Sequence, residues 1–319
     1  MKTLAYGLVA AFALAGLSSA AAQTKNVAIT AIVEHPALDA VRDGIKKGLA
    51  DLGYAEGTDV AFQYETAQGN PATAAQIARQ FVGEAPDVIV AISTPSAQAV
   101  AAATTDIPLV FSAVTDPLAA GLVNSVEAPG ANVTGVSDMA PIGDHIALIR
   151  EIAPNVKRLG VLYNPGEANS VSSLASVLDE AGAVGIEVIE GPATKSADVQ
   201  AAARSLVGKV DAIYVPTDNT IVSALESALG VAAEAKLPVF AADTDSVARG
   251  ALAAVGFNYF DVGVETAAIV DRVLKGDAPG TIPVIFASGT DLHVNKSTAA
   301  AIGITIPQAV LDRAAKVIE

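Results

Sequence analysis

The sequence has no cysteine and no tryptophan, and only three histidines and two methionines among 319 residues. Without cysteine there are no disulfides, iron–sulfur clusters, thiolate zinc sites or cysteine nucleophiles, and a two-cysteine racemase is impossible. Without tryptophan, the indole on which a sugar ring commonly stacks is missing. Basic residues are scarce as well. Nineteen lysines and arginines stand against 34 aspartates and glutamates, a formal charge of −15, which opposes binding to phosphate backbones and anionic membrane surfaces. Nucleic acid is therefore not expected as a partner. No phosphate-binding loop, nucleophile elbow, dinucleotide fingerprint or histidine pair at metal-ligand spacing follows any apolar run. The pattern is that of a protein that binds and releases, with no catalytic residues, metal or cofactor expected.

What is present begins with Lys2, an apolar run over residues 4–17 and the small-residue stretch 18–22. The run is too short to span a bilayer comfortably, and Ala20-Ala21-Ala22 before Gln23 suits a signal peptidase, so residues 1–22 read as a cleavable signal peptide. With no cysteine after the run, a bacterial lipid anchor is excluded, and the product is expected free in a periplasm as a monomer.

Beyond the signal, short apolar runs alternate with amphipathic stretches of helical period, the pattern of parallel sheets covered by helices. Strands are expected over residues 27–33, 60–64, 88–92, 109–114, 133–136, 159–163, 187–189, 212–215, 239–241, 252–255 and 284–286, with helices opening near Ala37, Ala72 and Ser96. The second half resembles a diverged copy of the first. Ile107-Pro108-Leu109-Val110-Phe111 leading to Thr115-Asp116 matches Leu237-Pro238-Val239-Phe240 leading to Thr244-Asp245, and Asp87-Val88-Ile89 leading to Thr94 matches Asp211-Ala212-Ile213 leading to Thr217. The expected architecture is α/β: two similar doubly wound parallel-sheet lobes joined by a multi-strand hinge, with residues 23–137 plus about 257–283 in the N-terminal lobe and residues 138–256 plus about 284–319 in the C-terminal lobe. Such sheets bind ligands outside the carboxyl ends of their strands, so two facing lobes share one cleft.

Ser93-Thr94-Pro95-Ser96 follows a strand and opens a helix, offering hydroxyls and free amides at a positive helix terminus. This suits a carboxylate, although Ser and Thr there also serve as ordinary caps. The matching turn of the second half carries Asp218 and Asn219, and Asp243 leaves the next strand. These carboxylates suit an ammonium or cap the helices they precede. Donors on one side and carboxylates on the other are what a zwitterion needs, since each buried charge must meet an opposite one. The loop Tyr163-Asn164-Pro165-Gly166-Glu167-Ala168-Asn169-Ser170 concentrates polar side chains where a helix starts. Tyr163, Tyr214 and Tyr259 lie near strand ends and offer a flat wall, or pack in the core. His35 ends the first strand and is expected to face the cleft.

These residues resemble the tryptophan/tyrosine type of bacterial ABC transporter substrate-binding proteins, which have the type I periplasmic-binding fold. The resemblance runs through Val33-Glu34-His35-Pro36, Ser93-Thr94-Pro95-Ser96, Phe111-Ser112-Ala113-Val114-Thr115-Asp116-Pro117, Tyr163-Asn164-Pro165-Gly166-Glu167, Pro216-Thr217-Asp218-Asn219 and Gly256-Phe257-Asn258-Tyr259-Phe260. It implies capture of a small molecule between the lobes, an amino acid of aromatic or branched type, for a membrane permease with a cytoplasmic ATPase. By that analogy Thr94, Ser96 and Ser112 hold the carboxylate and Asp218 or Asp243 the ammonium. Asn258 stands where the family often has aspartate. Two alternatives stay open: a sensor that reports its ligand to a membrane receptor, and an importer component for another small amine or nucleoside-like molecule.

Overall fold

The computed structural model describes residues 24–319; the signal peptide read over residues 1–22 lies outside them. Among the described residues no helix is long and apolar enough to cross a membrane.

Thirteen strands are described: β1 (Lys25–Ala31), β2 (Val60–Thr66), β3 (Val88–Ile92), β4 (Leu109–Ser112), β5 (Val133–Ser137), β6 (Arg158–Tyr163), β7 (Glu187–Pro192), β8 (Ala212–Val215), β9 (Val239–Ala241), β10 (Ala253–Phe257), β11 (Ile285–Phe286), β12 (Thr290–Asn295) and β13 (Lys316–Ile318). They form two sheets. One runs β2-β1-β3-β4-β5-β11 and is parallel throughout. The other runs β7-β6-β8-β9-β10-β12-β13 and is parallel except at β10–β12. Helices cover both faces, so the central strands are apolar without alternation, and all five residues of β3 are buried.

The internal repeat has a physical basis. The Pro108 carbonyl accepts from the Ile89 amide at 2.9 Å, and the Pro238 carbonyl accepts from the Ile213 amide at 2.9 Å. A proline cannot donate to the ladder, but its carbonyl can start one. In the same way Asp87 accepts from the Asn26 amide at 2.8 Å and Asp211 from the Arg158 amide at 2.9 Å. Each carboxylate ties the start of its lobe's third strand in sequence to that of the first.

The chain passes between lobes three times: after β5, after β10 and after β11. Residues 284–286 were expected in the second lobe, but β11 pairs in register with Val136 and Ser137 of β5, so the third passage lies between Phe286 and Thr290. Strand β12 was not anticipated at all. Its sequence Thr-Asp-Leu-His-Val-Asn has only two apolar residues, Leu292 and Val294, both buried, because it is an antiparallel addition near the edge and not part of the parallel core.

The helix after the second passage, Tyr259–Leu274, returns to the first lobe and packs on the first helix, Pro36–Asp51. Small residues permit the approach. A Cβ on Gly263 would lie 2.2 Å from the Val41 carbonyl oxygen, and one on Gly44 would lie 2.0 Å from the Phe260 carbonyl oxygen. This seam fixes Tyr259, the first residue of its helix, in the cleft. Gly263→Ala is expected to lower the unfolding free energy by at least about 2 kcal/mol, since backbone must move to admit one methyl group. Gly182→Ala, in helix Ala168–Ala183 with open space around it, should be neutral or stabilising by up to about 1 kcal/mol. Urea midpoints of the two variants check the contrast.

Candidate ligand-binding site

Strand ends from both sheets meet at a cavity between the lobes. The first lobe and its returning helix contribute His35, Leu38, Ser93, Thr94, Ala113, Thr115 and Tyr259. Asn169, Thr217, Asp218, Asn219, Val222 and Asp243 come from the second lobe, and Asp138 comes from the hinge. Among the described residues no lysine or arginine lines it.

On the first-lobe side, hydroxyls await a partner. Ser93 precedes helix Thr94–Ala101, yet neither it nor Thr94 caps that helix through its side chain. Ser93 Oγ and Thr94 Oγ1 are buried with no hydrogen-bond partner, as are His35 Nδ1 and Asn169 Oδ1. Buried polar atoms are seldom left this way, and four of them line one cavity. The first-turn amides of the same helix have no intrahelical acceptor either. Ser93 also sits at φ +77° and Ala113 at φ +53°, conformations rare for residues with a Cβ and typical of ligand-binding loops.

The second-lobe side carries carboxylates. Asp218 caps its helix through the Ile221 amide at 2.8 Å and also accepts from the Asn164 amide at 2.5 Å and from the Ser170 hydroxyl. Asp243 accepts from the Ser246 amide at 2.8 Å and the Ser246 hydroxyl at 2.6 Å. Both therefore act as caps and also face the cavity. Burial raises the pKa of each. For Asp218 it reaches about 7, burial acting first and the charge of Glu167 second. Arg249 reaches Asp243 by its charge but is engaged with Glu226 at 2.7 Å and does not line the cavity. His35 is the opposite case: burial, then the Arg249 charge, lowers its pKa to about 3, so its ring is neutral at any ordinary pH.

Of the residues read from the sequence, His35, Thr94, Thr115, Asn169, Asp218, Asp243 and Tyr259 come together at the cavity. The others lie elsewhere. Ser96 is buried beside it without lining it. The Ser112 hydroxyl pairs at 2.6 Å with Thr266 of the returning helix, and Asp116 caps the Ala119 amide at 2.9 Å in a loop. Tyr163 turns its hydroxyl onto Glu190 of the neighbouring strand, and Tyr214 turns its own onto His145 Nδ1 at 2.6 Å. Ser170 supports Asp218 from behind. Glu167 accepts from the Asn219 side chain at 2.6 Å, the Thr220 hydroxyl at 2.6 Å and the Thr220 amide at 3.1 Å. It holds the turn on which Asp218 stands, and it faces a separate outer groove beside Lys195 and Pro95.

Residues 26–318 match the family model described as ABC transporter substrate binding protein. The chain belongs to the ABC transporter substrate-binding proteins. It is 42% identical over 278 residues, 87% of this chain and 81% of the relative, to a protein named Tyrosine-binding protein from Clostridioides difficile (strain R20291). A solved ABC domain in complex with L-Trp from Streptococcus pneumonia is 36% identical, with a TM-score of 0.90 over 92% of this chain and 100% of that one. A ligand-free, open substrate-binding protein with adhesive properties from Clostridium difficile is 39% identical and covers 92% of this chain and 99% of its own, but its TM-score is 0.70. At similar identity the whole chain superposes better on the complex than on the open form. In this substrate-binding protein the lobes meet across the cavity, Thr115 Oγ1 of the first lying 3.3 Å from Thr217 Oγ1 of the second, in the type I periplasmic-binding fold.

Sequence reasoning passed over Asp138, Ser93 as a separate donor, Thr217, Ala113 and Val222. Asp138 directly follows β5, a strand-end position of the kind that supplied the other candidates, at the expected boundary between the lobes.

The raised pKa of Asp218 fixes the sign of a pH effect. Its folded value lies above its unfolded one, so the native state holds the extra proton between about pH 4 and 7, and the stability it contributes is lost as pH rises through that window. In ligand-free protein, the margin by which wild type exceeds Asp218→Asn in stability should be largest near pH 4 and shrink toward pH 7, as chemical denaturation at a series of pH values will read.

Proposed function

We propose that this substrate-binding protein captures a free amino acid with an aromatic or branched side chain as its zwitterion, and passes it to a membrane permease driven by a cytoplasmic ATPase. The observation that carries the reading is the set of four buried, unpartnered polar atoms around one closed cavity, with hydroxyls on one side and carboxylates on the other. The ligand carboxylate meets Ser93, Thr94 and the first-turn amides, where the helix terminus is positive. The ammonium meets the aspartates. Leu38, Ala113, Val222 and the Tyr259 ring supply the apolar wall, and neutral His35 is available to a hydroxyl or ring N–H on the side chain. The names of the relatives, one tyrosine-binding and one complexed with L-Trp, agree with this class.

Capture proceeds by lobe closure, the ligand adding contacts from both lobes only in the closed state, which the permease then recognises. Export behind residues 1–22 places the mature protein in the periplasm, and it acts without chemistry on its ligand.

Thermal unfolding of the ligand-free mature protein against amino acids, nucleosides, vitamins and sugars tests the reading. Selective binding to the native state adds about 2.7 kcal/mol at 100-fold excess over Kd, so tyrosine, tryptophan, phenylalanine or leucine should raise Tm, whereas a rise with another class alone discards the amino-acid reading. An ammonium favours ionised carboxylates, so binding expels protons from the raised aspartates. Affinity should therefore fall as pH drops from 8 to 5.5, with proton release visible by calorimetry in buffers of different ionisation enthalpy.

A further inference from the structure

We propose that Asp138, at the hinge, is the carboxylate that receives the ammonium of the ligand, with Asp218 and Asp243 shaping the cavity around it. This rests on the amino-acid reading above.

The three cavity aspartates differ in what already occupies them. Asp218 and Asp243 each accept the backbone amide three residues ahead and so cap short helices, a task complete without ligand. Asp218 has a second donor in the Asn164 amide and a third in Ser170, and Asp243 a second in the Ser246 hydroxyl, so both are held by the helices and loops they fasten. Asp138 caps nothing. Its Oδ1 accepts from the Thr115 hydroxyl at 3.0 Å and its Oδ2 from the Tyr259 hydroxyl at 2.9 Å. Both partners come from distant elements and neither carries charge. Two acceptor positions remain on a side chain that is 3% exposed and lines the cavity. A buried carboxylate with only two neutral hydroxyls is incompletely compensated, and burial raises its pKa accordingly. A cation in the cavity completes it.

The location also links the ligand to closure. Thr115 Oγ1 is 3.3 Å from Thr217 Oγ1, and Thr217 Oγ1 is 3.1 Å from Ser173 Oγ. Each hydroxyl has one proton. With Asp138 ionised, Thr115 must donate to it, so Thr217 donates to Thr115 and Ser173 to Thr217. An ammonium that keeps Asp138 ionised thus orders a row of hydroxyls from the hinge across the cleft into the second lobe.

Isothermal titration of mature wild type, Asp138→Asn, Asp243→Asn and Tyr259→Phe with L-tyrosine and with 3-(4-hydroxyphenyl)propionate, which lacks only the amino group, tests this; L-tryptophan and indole-3-propionate form a second pair. Asp138→Asn should weaken the amino acids on the order of 100-fold or more, as when a buried charge loses its partner, and leave the des-amino acids within about threefold. Asp243→Asn should change each pair equally. Equal effects of Asp138→Asn on both members of a pair, or selective loss in Asp243→Asn alone, overturns the assignment. If Asp138→Asn does not fold, Tyr259→Phe decides: a selective loss of about tenfold for the amino acids supports it, and an unselective one refutes it. Wild type that binds neither amino acid refutes the amino-acid reading itself, before any variant is compared.

Discussion

Moving a carboxylate out of water costs several kcal/mol unless an opposite charge or a full set of donors replaces the water it loses, and Asp138, Asp218 and Asp243 make that move at one place. Each is at most 5% exposed, and no lysine or arginine among the described residues lines their shared cavity. The opposite wall has the complementary deficit, buried hydroxyls of Ser93 and Thr94 with no hydrogen-bond partner. Closed lobes bring together groups that lack partners within the protein. The same groups that disfavour closure without ligand favour it with a zwitterion, which is the differential affinity a closing protein needs.

The fold delivers these groups because it repeats one solution twice. Parallel strands leave their carboxyl ends on one side, and the two lobes turn those sides toward each other. In the first lobe the turn after β3 presents hydroxyls at a helix terminus; in the second the turn after β8 presents Asp218, held by Glu167 and its hydrogen bonds to Asn219 and Thr220. The glycine seam between helices Pro36–Asp51 and Tyr259–Leu274 adds a third element, since it carries Tyr259 to the hinge carboxylate. Ser93 and Ala113, both at positive φ, stand in loops that face the ligand space.

Much of this was legible beforehand because it depends on short-range rules. Apolar runs of strand length, the paired Asp87/Asp211 and Pro108/Pro238 signals, and polar residues just past strand ends led to Thr94, Asp218, Asp243, His35 and Tyr259. What was not legible depends on which way a side chain turns once the sheet is built. Tyr163 and Tyr214 stand at strand ends, yet each finds its partner within its own lobe, Glu190 on the adjacent strand and His145 on a covering helix. Ser112 is taken by Thr266, 154 residues away, through a helix that crosses back from the other lobe. Asp138 escaped because it falls at the expected lobe boundary, with no helix turn after its strand to mark it, and β12 because an antiparallel strand near a sheet edge lacks the continuous apolar run of its neighbours.

A crystal structure of the mature protein grown with L-tyrosine tests the central claim most directly. The account predicts lobes closed as here, with one amino acid in the cavity, its carboxylate on Ser93, Thr94 and the helix amides, its ammonium among the aspartates, and His35 Nδ1 and Asn169 Oδ1 partnered. Closed lobes with only water bridging those atoms, or an amino acid bound with its charges reversed, would contradict it.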